Sequence, residues 1–195
     1  HEKMAFLLFH MQLARPWFGK SDKYISRKGL CGWKGQHCIE AAYEPWQSIQ
    51  SDAHNENEPC EFSTFVGYEW TGSPRSNNLH RNVIFSDLVV PSLPTSYFEA
   101  PTPELLWQSL DRECKKGEGC EVLTIPHNSN LSAGKMFVPY SEESHDMLVD
   151  YAQWRSQYEP LIEIFQHKGS SECGPLSTDE DCSFEQLPYG NLTAD

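Results

Sequence analysis

Long apolar runs are missing from this sequence. No stretch approaches the roughly 20 apolar residues that cross a bilayer. The patch at residues 4–9 is too short for that, and too short for a signal-peptide core with a small-residue cleavage site behind it. Basic residues are scarce as well: 15 Lys and Arg stand against 28 Asp and Glu, a formal net charge of -13. Nucleic-acid phosphates need clustered Lys and Arg, and no basic stripe is present, so broad electrostatic binding of nucleic acid is excluded. A phosphorylated small molecule is not, because bound metal ions can reverse a local field.

Several catalytic and cofactor signatures are also absent. No Cys-x-x-Cys occurs, which argues against a zinc ribbon or a thioredoxin-like site. There is no Gly-x-Ser-x-Gly elbow, no Walker loop and no dinucleotide fingerprint. His1-Glu2 opens like a metalloprotease helix, but Ala5 stands in the place of the second His. No internal repeat or low-complexity tract breaks the chain.

What remains is an ordinary globular composition. The chain has 195 residues, 38% of them apolar and 12% aromatic, enough for one domain with a core. Seven cysteines fall as Cys31 and Cys38, Cys114 and Cys120, Cys173 and Cys182, with Cys60 left over. Each close pair lies in a Gly-rich or polar segment, and a loop that short can close a disulfide. Local disulfides imply an oxidising compartment, periplasmic or secreted, with the cytoplasm as the alternative.

Apolar spacing predicts a helix over 39–55, strands over 62–70 and 80–85, a helix over 103–116, a strand over 121–125, a helix over 141–157 and a short strand over 161–165. The loop at 71–78 carries Gly, Pro and two Asn and reads as a hairpin connection. Strands alternating with helices suggest parallel βα units plus one antiparallel hairpin, a slice of an α/β barrel. A complete barrel needs about 250 residues.

In parallel α/β folds the chemistry sits at the carboxyl ends of strands. Glu69 closes one predicted strand, and His127 follows another. Glu163 and His167 share one face of a third by the period of two. His80 opens a strand, and if that strand runs antiparallel, its start lies on the rim that carries Glu69. Imidazole with carboxylate suits divalent metals, which lower the pKa of a bound water. Each of these residues also has a plain structural reading, as a loop His or a capping Glu.

Four blocks carry a family resemblance: Phe65-Val-Gly-Tyr-Glu-Trp-Thr71, Asn78-Leu-His-Arg-Asn-Val-Ile-Phe85, Ile125-Pro-His-Asn-Ser-Asn-Leu-Ser132, and Glu159-Pro-Leu-Ile-Glu-Ile-Phe-Gln-His-Lys-Gly-Ser-Ser-Glu172. In order and content they resemble a bacterial family of unknown function related to the PHP (polymerase and histidinol phosphatase) metal-dependent phosphoesterases, and more distantly to amidohydrolases. They span Phe62 to Asp181. The resemblance implies an α/β fold, part of a distorted PHP-like βα barrel with mainly parallel strands and one antiparallel hairpin. It implies divalent metal ions (Zn, Mn, Mg or Fe) at the strand ends and an anionic small-molecule substrate.

By position it implies Glu69 and Arg81 as catalytic residues, and Glu69, His80, His127 and Glu163 as metal ligands. Asn82, Asn128, Asn130 and His167 are implied as substrate contacts. The family's His-x-His strand, Asp-His block and Gly-x-Asp-x-His block are absent here. The chain also opens at His1 without an initiator Met. The expectation is therefore a single partial catalytic domain over 1–195, with 1–60 as lead-in, 61–182 as core blocks and 183–195 as tail. Its expected chemistry is phosphoester hydrolysis by metal-activated water. A non-catalytic binding module and a metal-dependent amide or lactone hydrolase stand as alternatives.

Overall fold

The computed structural model describes residues 36–58, 60–138, 148–166, 169 and 170. Helix α1 (Gln36–Glu56) leads into strand β1 (Val66–Trp70). A short 3-10 turn (Pro74–Ser76) separates it from strand β2 (Arg81–Phe85). Helix α2 (Pro103–Glu113), strand β3 (Val122–Pro126) and helix α3 (Leu148–Tyr158) follow. A two-residue pair, β4 (Phe165–Gln166) and β5 (Gly169–Ser170), comes last.

The sheet corrects the expected architecture. Strand order is β1-β2-β3, and both pairings are antiparallel, with Trp70 opposite Arg81 and Arg81 opposite Pro126. Among the described residues no parallel pairing and no closed barrel forms. The reason lies in the long connection between β2 and β3. A βα crossover would carry the chain to the far end of the sheet. Here the connection returns to the end it left: Phe85 pairs with Val122, and Ser86 N–H donates to Glu121 O at 3.0 Å. Helix α2 is thus an insertion in a hairpin, not a crossover. β4 and β5 form a separate antiparallel pair.

Alternation along the three strands gives the sheet one buried and one open face. Val66 and Trp70, Arg81, Val83 and Phe85, and Thr124 and Pro126 point into the core. Glu69 and Asn82 point the other way. On the core face lie Leu106, Trp107 and Leu110 of α2, Trp46 and Ala53 of α1, and Tyr151 and Tyr158 of α3. Helix α2 begins where the sequence punctuates it: Thr102 accepts from Leu105 N–H and Pro103 occupies the first turn. It stops three residues before the predicted end, because Cys114 turns out of the helix into the Cys114–Cys120 disulfide. That loop turns through Gly117 and Gly119, both at positive φ.

Polar groups in this core are matched across elements. The Thr124 hydroxyl accepts from Trp107 Nε1 at 3.3 Å and donates to Tyr158 O at 3.1 Å, joining α2, β3 and α3. Arg81 Nε donates to Glu159 Oε1 at 2.8 Å with both side chains 1% exposed. Arg81 Nη1 donates to Leu79 O, and its guanidinium lies 5.8 Å from the Trp70 ring centroid.

Other expectations shift in detail. The predicted strand over 62–70 shortens to Val66–Trp70, and Phe62 and Phe65 are exposed. The helix expected over 141–157 is described from Leu148 onward, its earlier part lying outside the described residues. The strand expected over 161–165 is not a buried strand: Leu161, Ile162 and Ile164 are exposed, and one bond, Glu163 N–H to Pro126 O at 3.1 Å, ties that segment to β3. Cys38 is disulfide-bonded. Its expected partner Cys31, and the pair Cys173 and Cys182, lie outside the described residues. Cys60 is free and exposed. No helix among the described residues is long and apolar enough to cross a membrane.

Replacing Arg81 by Ala removes the more buried partner of the Glu159 carboxylate and leaves it Arg155, whose Nε lies 3.1 Å from Oε2. The expected loss is about 3 kcal/mol, the low end of the cost of breaking a buried pair, because Arg155 still compensates the charge. Urea unfolding of wild type and variant measures it. A loss below about 1 kcal/mol, the range of exposed pairs, contradicts the burial described here.

Candidate functional site

The open face of the sheet ends in a rim of polar side chains, and strand direction builds it. β1 and β3 finish at the edge where β2 starts, so Glu69 near the end of β1, His80 just before β2 and His127 just after β3 converge. His127 N–H donates to His80 O at 3.3 Å, carrying the ladder one step past both strands. The convergence follows from the directions of β1, β2 and β3 alone and requires no barrel.

The contacts are direct. His80 Nδ1 lies 3.1 Å from Glu69 Oε1. His80 Nε2 lies 3.0 Å from Ser73 Oγ. The rings of His80 and His127 meet edge to face, with centroids 5.1 Å apart. A carboxylate only accepts, so Nδ1 carries the proton towards Glu69; in the neutral ring Nε2 then accepts from the Ser73 hydroxyl. The bond from His80 holds the Glu69 carboxyl below its ordinary value, the charges of His80 and His127 add to this, and partial burial opposes it.

Ser73 stands in Gly72-Ser73-Pro74, a sequence that reads as turn chemistry rather than as a site. Leu79 N–H donates to Gly72 O at 2.7 Å, which continues the β1–β2 register into the loop and draws Ser73 towards His80. Gly72 permits this fold of the loop: a Cβ there would sit 2.1 Å from Trp70 Cη2. A second tie, Asn78 N–H to Leu131 O at 2.9 Å, fastens the loop to the chain after β3.

The remaining expected residues take varied places. Glu163 lies beside the turn after β3, where its Oε2 accepts from Asn128 N–H at 3.1 Å and from the Gln166 amide. Asn128 is 2% exposed. Its Oδ1 accepts from Asn130 N–H at 3.1 Å, while its Nδ2 has no partner among the described residues. Asn130 is half-buried, and Asn82 is exposed on the open face, opposite Glu69 in the ladder. Arg81, expected to face substrate, is turned into the core against Glu159. His167 lies outside the described residues.

A family model described as "Protein of unknown function (DUF3604)" matches residues 18–195, more than half of the chain. The chain belongs to that family. No curated protein and no solved structure matches it. The Gly-Tyr-Glu, Leu-His-Arg and Pro-His-Asn stretches that meet at the rim all fall inside the matched part of this DUF3604 chain.

Glu69 gives the site a pH signature. A depressed carboxyl contributes stability that is present above the unfolded value, near 4.3, and is lost as pH falls through the folded one. The stability advantage of wild type over Glu69→Gln should therefore be present at neutral pH and fade as pH falls below the ordinary carboxyl value. NMR titration should place the Glu69 carboxyl below its ordinary value, and His80→Ala should raise it. An unshifted Glu69 titration contradicts the pairing.

Proposed function

We propose that this protein is a hydrolase and that its reaction runs at the Glu69–His80–His127 rim. The observation that carries the reading is His80 itself, an imidazole aligned between a carboxylate and a hydroxyl, with a second imidazole at its edge. A ring so held can take a proton from a nucleophile and return it to a leaving group, which commonly contributes 10²–10⁴-fold. The family resemblance supports kinship with the PHP phosphoesterases and, more distantly, the amidohydrolases, and so a phosphoester or an acyl bond as the bond that is cleaved. The Cys114–Cys120 disulfide supports a periplasmic or secreted location.

The same resemblance implies divalent metal ions, and the residues can be tested against that. Two imidazoles and a carboxylate are the right donor types. Their placement does not fit: the lone pair of His80, on Nε2, faces the Ser73 hydroxyl, and Oε2 of Glu163 is engaged by Asn128 and Gln166. No group of three or more His, Cys, Asp or Glu among the described residues is arranged to hold an ion.

The test is turnover of an aryl phosphate and an aryl ester by the full-length protein, with metal analysis alongside. His80→Ala should lower turnover by about 10²–10⁴-fold in a variant that still melts cooperatively, with its melting temperature lowered by about 2–8 °C for the lost pairing. Turnover indifferent to His80→Ala contradicts the reading. Stoichiometric metal whose removal abolishes turnover transfers the chemistry to metal-assisted hydrolysis.

A further inference from the structure

We propose that Ser73 is a nucleophile that forms a covalent acyl intermediate with a carboxylic ester substrate. This rests on the hydrolase reading above and specifies its substrate class. The misfit to a metal site opens the way to it. A metal-bound imidazole gives its one lone pair to the ion and donates its other N–H, whereas the lone pair of His80, on Nε2, meets the Ser73 hydroxyl at 3.0 Å while Nδ1 donates to Glu69 at 3.1 Å. Hydroxyl, imidazole and carboxylate in a row, with the carboxylate on Nδ1 and the hydroxyl on Nε2, is the arrangement that activates a serine. It is recognised by geometry and roles, not by sequence position. No Gly-x-Ser-x-Gly elbow is needed for it.

The loop holds Ser73 in place. Gly72 folds tightly over the Trp70 ring, where a Cβ would clash at 2.1 Å, and its carbonyl is fastened by Leu79 N–H. Pro74 follows and starts the short turn. Ser73 is 9% exposed and the His80 side chain 18%, while Glu69 is half exposed, so the row runs from a sheltered hydroxyl to an open carboxylate. That depth shelters the hydroxyl from bulk water while the row stays open at the Glu69 end.

Charge selects the substrate class. The chain carries a net charge of -13, Glu69 stands ionised at the rim, and Arg81, next to His80 in sequence, points into the core. A doubly charged phosphate meets repulsion here, and an uncharged acyl ester does not.

The chemistry balances with water as the only co-substrate. Ser73 Oγ forms a bond to the carbonyl carbon as its proton passes to His80 Nε2. The bond from that carbon to the alkoxy oxygen breaks, and the departing alcohol takes the proton from Nε2. Water then attacks the acyl-serine and gives a proton to Nε2. The bond to Ser73 Oγ breaks, the carboxylic acid leaves, and Oγ recovers its proton. Glu69 remains ionised throughout, orienting His80 and stabilising its charged form.

The experiment treats the full-length protein with a fluorophosphonate probe and maps the adduct by mass spectrometry. It also follows p-nitrophenyl butyrate turnover for an initial burst. The expected result is one adduct per chain on Ser73, absent in Ser73→Ala and His80→Ala. Turnover should fall by about 10³-fold or more in Ser73→Ala, with its melting temperature within about 1–2 °C of wild type. A hydroxyl that merely orients His80 would leave Ser73→Ala turnover within a few-fold and give no adduct. That result, or an adduct elsewhere, overturns Ser73 as nucleophile while leaving the hydrolase reading intact. Absence of both adduct and turnover of aryl ester and aryl phosphate overturns both.

Discussion

A guanidinium and a carboxylate removed from water must find each other or destabilise the fold, and the pair Arg81–Glu159 meets that demand at the centre of this structure. Arg81 opens β2, and Glu159 follows the last residue of α3, so their bond clamps sheet to helix. Arg155, one turn earlier on α3, brings Nε within 3.1 Å of the other Glu159 oxygen. It also donates to Met136 O and Val138 O, tying the chain beyond β3 into the same cluster. With Arg81 fixed in the core, alternation turns both of its neighbours outward. His80 is placed by what Arg81 cannot do.

The rim then follows from elementary geometry. Antiparallel pairing puts the end of β1, the start of β2 and the end of β3 on one edge, and each supplies one titratable side chain. Packing on the other face, through Trp70, Val83, Phe85 and Thr124 against α1, α2 and α3, keeps that edge stiff. The loop between β1 and β2 adds a hydroxyl to the second ring nitrogen. A hydrogen-bonded row is thereby built from local structure, with the burial cost borne by the far side of the sheet.

Much of this was legible from residue order. The strands showed in their aromatic and β-branched runs, and the convergence of Glu69, His80 and His127 followed from one hairpin and one strand end. The topology was harder to read. A connection as long as 86–121 permits either a crossover or a return, and the choice is made by tertiary packing of Leu106, Trp107 and Leu110. Arg81 reads as a surface cation by type, yet it shares a strand face with Val83 and Phe85, and burial follows the face. Phe62 and Phe65 mislead in the opposite sense, being apolar and exposed. Ser73 was hidden because small polar residues between Gly and Pro usually serve the turn alone.

The central claim is that His80 is held in one orientation, with Nδ1 protonated towards Glu69 and Nε2 accepting from Ser73. The most direct measurement is the tautomer of His80 by ¹⁵N NMR of the imidazole at neutral pH. The account predicts a protonated Nδ1 and a bare Nε2, with the Nδ1 signal perturbed by Glu69→Gln. A proton on Nε2 with Nδ1 bare would set a lone pair against a carboxylate, and that result would contradict the account.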